Sequence, residues 1–584
     1  NIINRTINDV AMTVLPNAPI DAATGLPVPT IAVATNGGVS VIKDNGTVVD
    51  IINSTDSGYQ VVPTIAFIGK SELIFGMDVG NGSRILRVHD IPTSDVNVAA
   101  NWYNRGTSKR IYKGYDIGAT PDLYTLDINQ SAPEKNVLDG VFGGHKGLSL
   151  LDENTTTPTK GSVAYITSDY NTGWMNGDIK LATLSDTEAA DNTEYVGGYG
   201  NFTDASAWTA GTGWSLSGNV ATKTASTGAN YISRASSGTF VSGEWYQAEF
   251  DLLSGNGTHV QLVNRHTNGV LKPYTNATNV DVAFFAVGSK CYAIWQQNTN
   301  NTNIVSLYAS QAVSLDNFKI YKLNAHDRSV NSKPLIRVGT VTKTAVATGA
   351  DLVGYSGFTT SNYLLQPYNA ALNFTNEFSI SFWVKNWSAG QDLLHRGPGQ
   401  TRNSKTSFHM YCDGGYDYRL TLTSNGSSEQ TFEIPLSGNL TGWQNVCFTL
   451  TPGGAVRGYL NGRLEFTGAF TGTNIFTQAT DQNGLYIGDG PVSAALGGSL
   501  ALLRLSATAP TPEQIAKMYN DEKHLFQTNA KATLYGTSDA VIALAYDDDT
   551  ELLHVGTSAG RSEFQGLNRV NNTTDAVGTA ISAS

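Results

Sequence analysis

The chain has 584 residues, including 60 Gly, 26 Tyr and 21 Phe, with only 15% charged residues and a formal net charge of −12. No Lys/Arg run stands out, which argues against nucleic acid as a partner, because phosphate binding needs clustered cations. No stretch approaches the ~20 apolar residues that span a bilayer.

At ~100–200 residues per domain the length implies several domains. The abundance of aromatic and β-branched residues, with Gly and Asn for turns, points to an all-β fold. Cys291, Cys412 and Cys447 are too few and too scattered for a disulfide framework or a zinc site, so buried free thiols are expected. The first residue is Asn and no leader is visible, so a processed or partial chain is expected. Asn-x-Ser/Thr triplets such as Asn45-Gly46-Thr47 are read as a product of composition rather than as glycan acceptors.

A three-part echo joins the two ends of the chain. Residues 31–41 read IAVATNGGVSV, residues 140–150 read GVFGGHKGLSL, and residues 552–564 read LLHVGTSAGRSEF. Each is an apolar run, a short turn, then Gly-x-Ser leading into a second run: Gly38 to Ser40, Gly147 to Ser149, Gly560 to Ser562. Further hairpin-like units lie at 64–75, around Gly80-Asn81-Gly82 and over 162–184. Repeats of this size suggest a split β-propeller-like domain, 1–196 and 527–584, of five or six blades at ~40–50 residues each. Closing the ring with the C-terminal part would remove exposed sheet edges. The rival is an irregular β-sandwich.

Between the two halves the texture changes. Over 197–324, Asn201-Phe202 opens a segment carrying Trp208 and Trp214. It continues through Tyr246, Ala248, Phe250 and Leu252 on alternate positions, then closes on Leu315-Asp316-Asn317. This layout resembles a carbohydrate-binding module of the jelly-roll type. Sugars present an apolar C–H face that stacks on exposed aromatic rings. The resemblance makes Tyr274, Tyr292 and Trp295 the candidate sugar contacts, because they lie away from the framework motifs.

Over 325–526, Phe378-Ser379-Ile380-Ser381-Phe382-Trp383-Val384-Lys385, Gly442-Trp443-Gln444-Asn445-Val446, Tyr459-Leu460-Asn461-Gly462 and Leu485-Tyr486-Ile487-Gly488 occur in that order. They resemble the strands and hairpin turn of a laminin-G-like, concanavalin-type jelly roll, with Gln444 in place of that family's usual His. A short closing helix is expected from Thr511-Pro512-Glu513-Gln514, which sets a cap, an N1 proline and a capping-box Gln in register. Ile515, Met518 and Tyr519 then form its apolar stripe. The resemblance implies glycan or protein binding, with Trp387, His395, Tyr416 and Tyr418 as candidates; Trp383 reads as framework. No cofactor is expected beyond a structural Ca²⁺, which would need several oxygen ligands, and Asp413 and Asp489 are the candidates for it.

The stretches 327–363 and 525–549 resemble segments of phage tail proteins. That resemblance implies a tail fibre or tail-associated adhesin, extracellular on the virion, that binds host cell-surface polysaccharide. The implied partners are other virion tail proteins and two further copies of the chain in a homotrimer, without membrane insertion. Two alternatives stand beside it. One is a structural connector whose modules are spacers. The other is a propeller-type glycoside hydrolase, which would need two carboxylates ~5–9.5 Å apart; Asp78, Asp169, Asp178 and Asp547 to Asp549 are available. No Ser-His-Asp signature, phosphate-binding glycine loop or HExxH motif is present, so no enzyme activity is expected.

Overall fold

The structure is a computed structural model that describes residues 2–52, 61–62, 65–68, 72–78, 84–97, 110–113, 123–127, 140–144, 146–152, 154, 157, 160–188, 194–224, 230–235, 238–241, 245–255, 260–265, 271–273, 283–287 and 290–296. Beyond these it describes 304–309, 311–323, 326–329, 331, 335–398, 406–424, 428–472, 474–478, 483–488, 494–547 and 550–574. It is almost entirely β, as the composition implies. Among the described residues the one α-helix is Pro512–Glu522, and no helix is long and apolar enough to cross a membrane.

The echo corresponds to a repeated unit. Among the described residues four antiparallel meanders are present, starting at Ile7–Thr13, Ile65–Ile68, Leu123–Asp127 and Val541–Asp547. In the first, third and fourth, the same register pairs Val33 with Ser40, Phe142 with Ser149 and Val555 with Ser562. The echo glycines Gly38, Gly147 and Gly560 have φ of 123°, 119° and 143°. A Cβ on them would sit 2.3, 2.5 and 2.7 Å from the carbonyl oxygens of Ile51, Ile166 and Thr573 on the following strand. Glycine recurs because the following strand, the fourth of each meander, passes too closely for any side chain.

The meanders stand in series, the first strand of each lying near the first strand of the next. The third and fourth share a core in which Val141, Leu148, Leu150 and Ile166 meet Val541, Leu553, Val555 and Phe564. Asn171 joins the two sequence-distant halves through its side-chain amide, which donates to the carbonyls of Ala532 (2.9 Å) and Leu567 (3.0 Å).

The first sandwich packs a five-stranded sheet on a six-stranded one around Trp208, Trp214, Tyr246, Phe250, Trp295 and Phe318. Tyr246, Ala248 and Phe250 point inward as their alternation requires. The second sandwich has two eight-stranded sheets around a core that includes Phe378, Phe382, Met410, Leu420 and Phe448. One strand of it lies in what the motifs place in the repeat domain: Ile179–Thr183 pairs antiparallel with Ser499–Ser506. Leu181 and Leu184 enter the sandwich core, so this edge is completed by chain far upstream of the 325 boundary.

Buried charge fixes that junction. Glu522 at the end of the helix is fully buried and takes both nitrogens of the Arg504 fork, the Trp383 indole N–H (2.7 Å) and the Trp174 backbone N–H (2.9 Å). Asp186 receives Arg328 and Lys343 (3.0 Å each) and the Tyr355 hydroxyl. Burial alone would raise the Asp186 carboxyl, but Lys343 and Arg328 outweigh it and hold it well below the usual carboxylate range. The helix starts with the expected capping box of Thr511 and Gln514. All three cysteines are free and buried.

Candidate functional site

The site lies on the outer face of the second sheet of the second sandwich. Alternation sends Phe408, Met410, Cys412, Leu420 and Leu422 into the core, which leaves His409, Tyr411, Arg419 and Thr421 on the other side. One side of that outer face, formed by Ile336–Val338, Tyr363–Gln366 and Asn483–Ile487, is closed by the first sandwich. Ile336, Val338, Tyr363, Leu365 and Tyr486 pack there against Tyr292, Ile294 and Leu323. The Gln247 side chain extends the seam like a strand edge. Its amide donates to the Arg337 carbonyl at 2.8 Å, and its oxygen accepts the Arg337 N–H at 2.9 Å.

Beyond the seam the face becomes polar. A β-bulge between Asp392 and Leu394 turns Asp392 toward His409, and their side chains meet at 2.9 Å with both fully buried. Bulges re-aim single side chains in this way. The His409 ring lies flat on Tyr411, with centroids 4.7 Å apart and planes 10° apart. Tyr411 is half-buried, and its hydroxyl bonds to Arg419. Arg419 also reaches Asp413 and Glu433 at 2.9 Å each. Burial pulls this guanidinium down, but Tyr411 and the two carboxylates outweigh it and hold it above its ordinary value. Beside them Tyr416, at φ 75°, keeps its ring in solvent. An aromatic ring bordered by a guanidinium between two carboxylates offers stacking together with donors and acceptors, which suits a neutral polyhydroxylated ligand.

Most residues expected to contact sugar are interior. Tyr292 is sealed in the seam, and Trp295 stacks on Tyr246 inside the first sandwich. Trp387 stacks on Tyr418 at 4.5 Å within the second core. His395 lies fully buried between Tyr486 and His409, within hydrogen-bond distance of Thr406. A ring with no exposed face cannot stack on a pyranose, which removes these five as direct contacts. Tyr416 keeps its place. Tyr274 and Asp489 lie outside the described residues, as do Asp548, Asp549 and the side chain of Asp78. Asp413 is a turn residue: one oxygen accepts the N–H of Gly415 and of Asp417, and the other pairs with Arg419. Its oxygens are thus committed, which does not fit a Ca²⁺ ligand. Among the described residues no group of three or more His, Cys, Asp or Glu is placed to hold a metal. Asp178 pairs with Lys180 at 2.7 Å, and Asp169 stands exposed at a turn.

Tyr411, Arg419 and Glu433 escaped the sequence reading, although the alternation of 408–412 and 418–422 marks the first two as outward-facing. A second aromatic patch was missed on the first sandwich. There the Arg234 guanidinium lies 4.1 Å from the ring centroid of the exposed Tyr199, with Trp208 beneath.

Residues 358–516 match the family model described as Concanavalin A-like lectin/glucanases superfamily. No curated protein matches the chain. Among solved structures, domain 4 of AbnA, a GH43 extracellular arabinanase from Geobacillus stearothermophilus in complex with arabinotriose, is 19% identical. That match covers 33% of this chain and 91% of that one, with a TM-score of 0.26. The botulinum neurotoxin serotype G binding domain is 10% identical over 42% of this chain and 62% of its own, at a TM-score of 0.28. The Ruminococcus gnavus IT-sialidase CBM40 bound to alpha2,3 sialyllactose is 18% identical over 26% and 92%, at 0.22. At such scores none of the three bears on what this chain binds. The family match agrees with the sandwich found over the same residues.

Proposed function

We propose that the chain is an adhesin that binds glycan through the polar half of the second sandwich's outer sheet face. The observation that carries this reading is the Tyr411–Arg419–Glu433 network beside the solvent-exposed Tyr416, on a sandwich matched by a lectin-type family model. Together with the phage-tail-like stretches, it supports a virion tail fibre that attaches to host cell-surface polysaccharide, alongside other tail proteins and as a homotrimer. The four meanders in series are compatible with a propeller-like platform for the two sandwiches. The first sandwich has a different reading, favoured by the seam: it is a spacer and brace that covers one side of the binding sheet, in line with the connector role.

The test incubates purified protein with cells of the host and follows retention and release of reducing sugar together. Retention that is lost in Tyr411→Ala and in Arg419→Ala, without sugar release, supports the adhesin. Retention unchanged in both variants removes this site. Sugar release abolished by Asp169→Asn replaces binding with hydrolysis.

A further inference from the structure

Exposed hydrophobic side chains concentrate at one end of the chain. Half of the large hydrophobics that stand in solvent among the described residues fall within residues 2–26. On the strand Ile7–Thr13, Val10 and Met12 are 54% and 65% exposed, while Ala11 packs against the core and Thr13 is buried. Among the described residues its backbone ladder is formed on one side only, with Thr30–Thr35.

At the other end of the series, Val541–Asp547 repeats this situation. Val541 is buried and Leu544 packs inward, whereas Ile542, at 54%, and the small Ala543 and Ala545 face solvent. Among the described residues this strand too has a ladder partner on one side only, Leu552–Thr557. Within the molecule, each meander's first strand lies near the first strand of its neighbour. Between the third and fourth, the fit sets a large residue on a bare one: a Cβ on Gly143 would lie 2.4 Å from Val541 Cγ1. The two terminal first strands are therefore the faces left over when a series of like contacts stops. One carries protruding residues and the other is lined by alanines.

We infer that these two faces bind each other between copies of the chain: the outer face of Val541–Asp547 of one copy packs on the outer face of Ile7–Thr13 of the next. The contact continues the internal series and buries apolar side chains that water otherwise covers. It is heterologous, because each copy supplies two different faces. It closes into a ring where the rotation permits and runs on as a filament where it does not. The inference does not rest on the glycan reading.

Sedimentation velocity of the full chain over a wide concentration range tests it. The wild type is expected to self-associate reversibly. Met12→Asp and Ile542→Asp should each weaken association by about a hundredfold or more, since each buries an unpaired charge in the contact. Leu464→Asp, at a residue also exposed but away from both faces, should have no effect. The deciding sample is an equimolar mixture of Met12→Asp and Ile542→Asp, in which each protein keeps one intact face. It should form a 1:1 dimer and nothing larger. A wild type that stays monomeric, a mixture that stays monomeric, or loss of association in only one variant overturns the proposal. Near-ultraviolet circular dichroism establishes that each variant is folded, and Met12→Ser with Ile542→Ser replaces any that is not.

Discussion

The two sandwiches are built alike but cover their outer faces differently. In the first, the strand Lys290–Gln296 spends both faces on burial: Cys291, Ala293 and Trp295 fill its own core, and Tyr292 and Ile294 fill the seam. In the second, the strand Phe408–Cys412 buries Phe408, Met410 and Cys412 in its core and His409 against Asp392, and leaves only Tyr411 partly open to solvent. Aromatic content alone therefore says little about binding. What matters is whether a neighbouring element has already taken the face on which the ring stands. The modes of attachment also differ, since the first sandwich is held by apolar contact and the second by carboxylates buried among cations.

The largest effect should come from the charge-held joint. Glu522→Ala strands the buried Arg504 and should cost about 3–5 kcal/mol, because an uncompensated interior charge remains; chemical denaturation read by tryptophan fluorescence measures it. Asp186→Ala should approach that figure, with Lys343 and Arg328 losing their shared partner. The apolar counterpart is Tyr292→Ala. It should cost about 3 kcal/mol by cavity formation at the seam and should free the first sandwich to move, read as a larger radius of gyration in solution scattering. Equal stability and an unchanged radius would show that the seam is incidental.

Binding separates the sandwiches more sharply. Tyr411→Ala should weaken glycan retention by roughly tenfold to a hundredfold with the unfolding midpoint nearly unchanged, as expected for an aromatic at the centre of a contact. Trp295→Ala should do the reverse, costing about 3–5 kcal/mol of stability while the folded fraction still binds. A Trp295 variant that is stable and non-binding would reinstate the first sandwich as the glycan site. The smallest effect is confined to acid. Because the Asp186 carboxyl is depressed in the folded state, its contribution is complete above its unfolded value of about 3.9 and declines as pH falls through the lower folded value. The wild-type advantage over Asp186→Asn should therefore be flat through neutral pH and shrink only below about pH 4.

Much of this architecture is specified by short-range sequence patterns. The apolar alternation of 378–385 and 446–450 specifies buried strands, and Thr511 to Gln514 specify a helix start, because backbone periodicity and capping are short-range effects. Asn461 and Gly462 adopt positive φ as their turn requires, and the substituted Gln444 accepts a hydrogen bond from the Asn461 amide at 2.6 Å. The echo glycines likewise carry their reason within one hairpin and the strand beside it. The candidate site was harder to read. Tyr292, Trp387 and Tyr418 have the composition of sugar contacts, and only long-range packing makes them interior.

What the sequence determined by itself was the all-β class, the lectin-type sandwich and the repetition of the meander, all written in spacings of a few residues. Tertiary structure alone decided that Ile179–Thr183 completes a sheet with Ser499–Ser506, that Asp186 and Glu522 become buried ion centres, and that one side of the second sandwich's outer sheet face is closed by the first sandwich. These depend on contacts across hundreds of residues, and a side chain's exposure is set by whichever distant surface comes to rest on it.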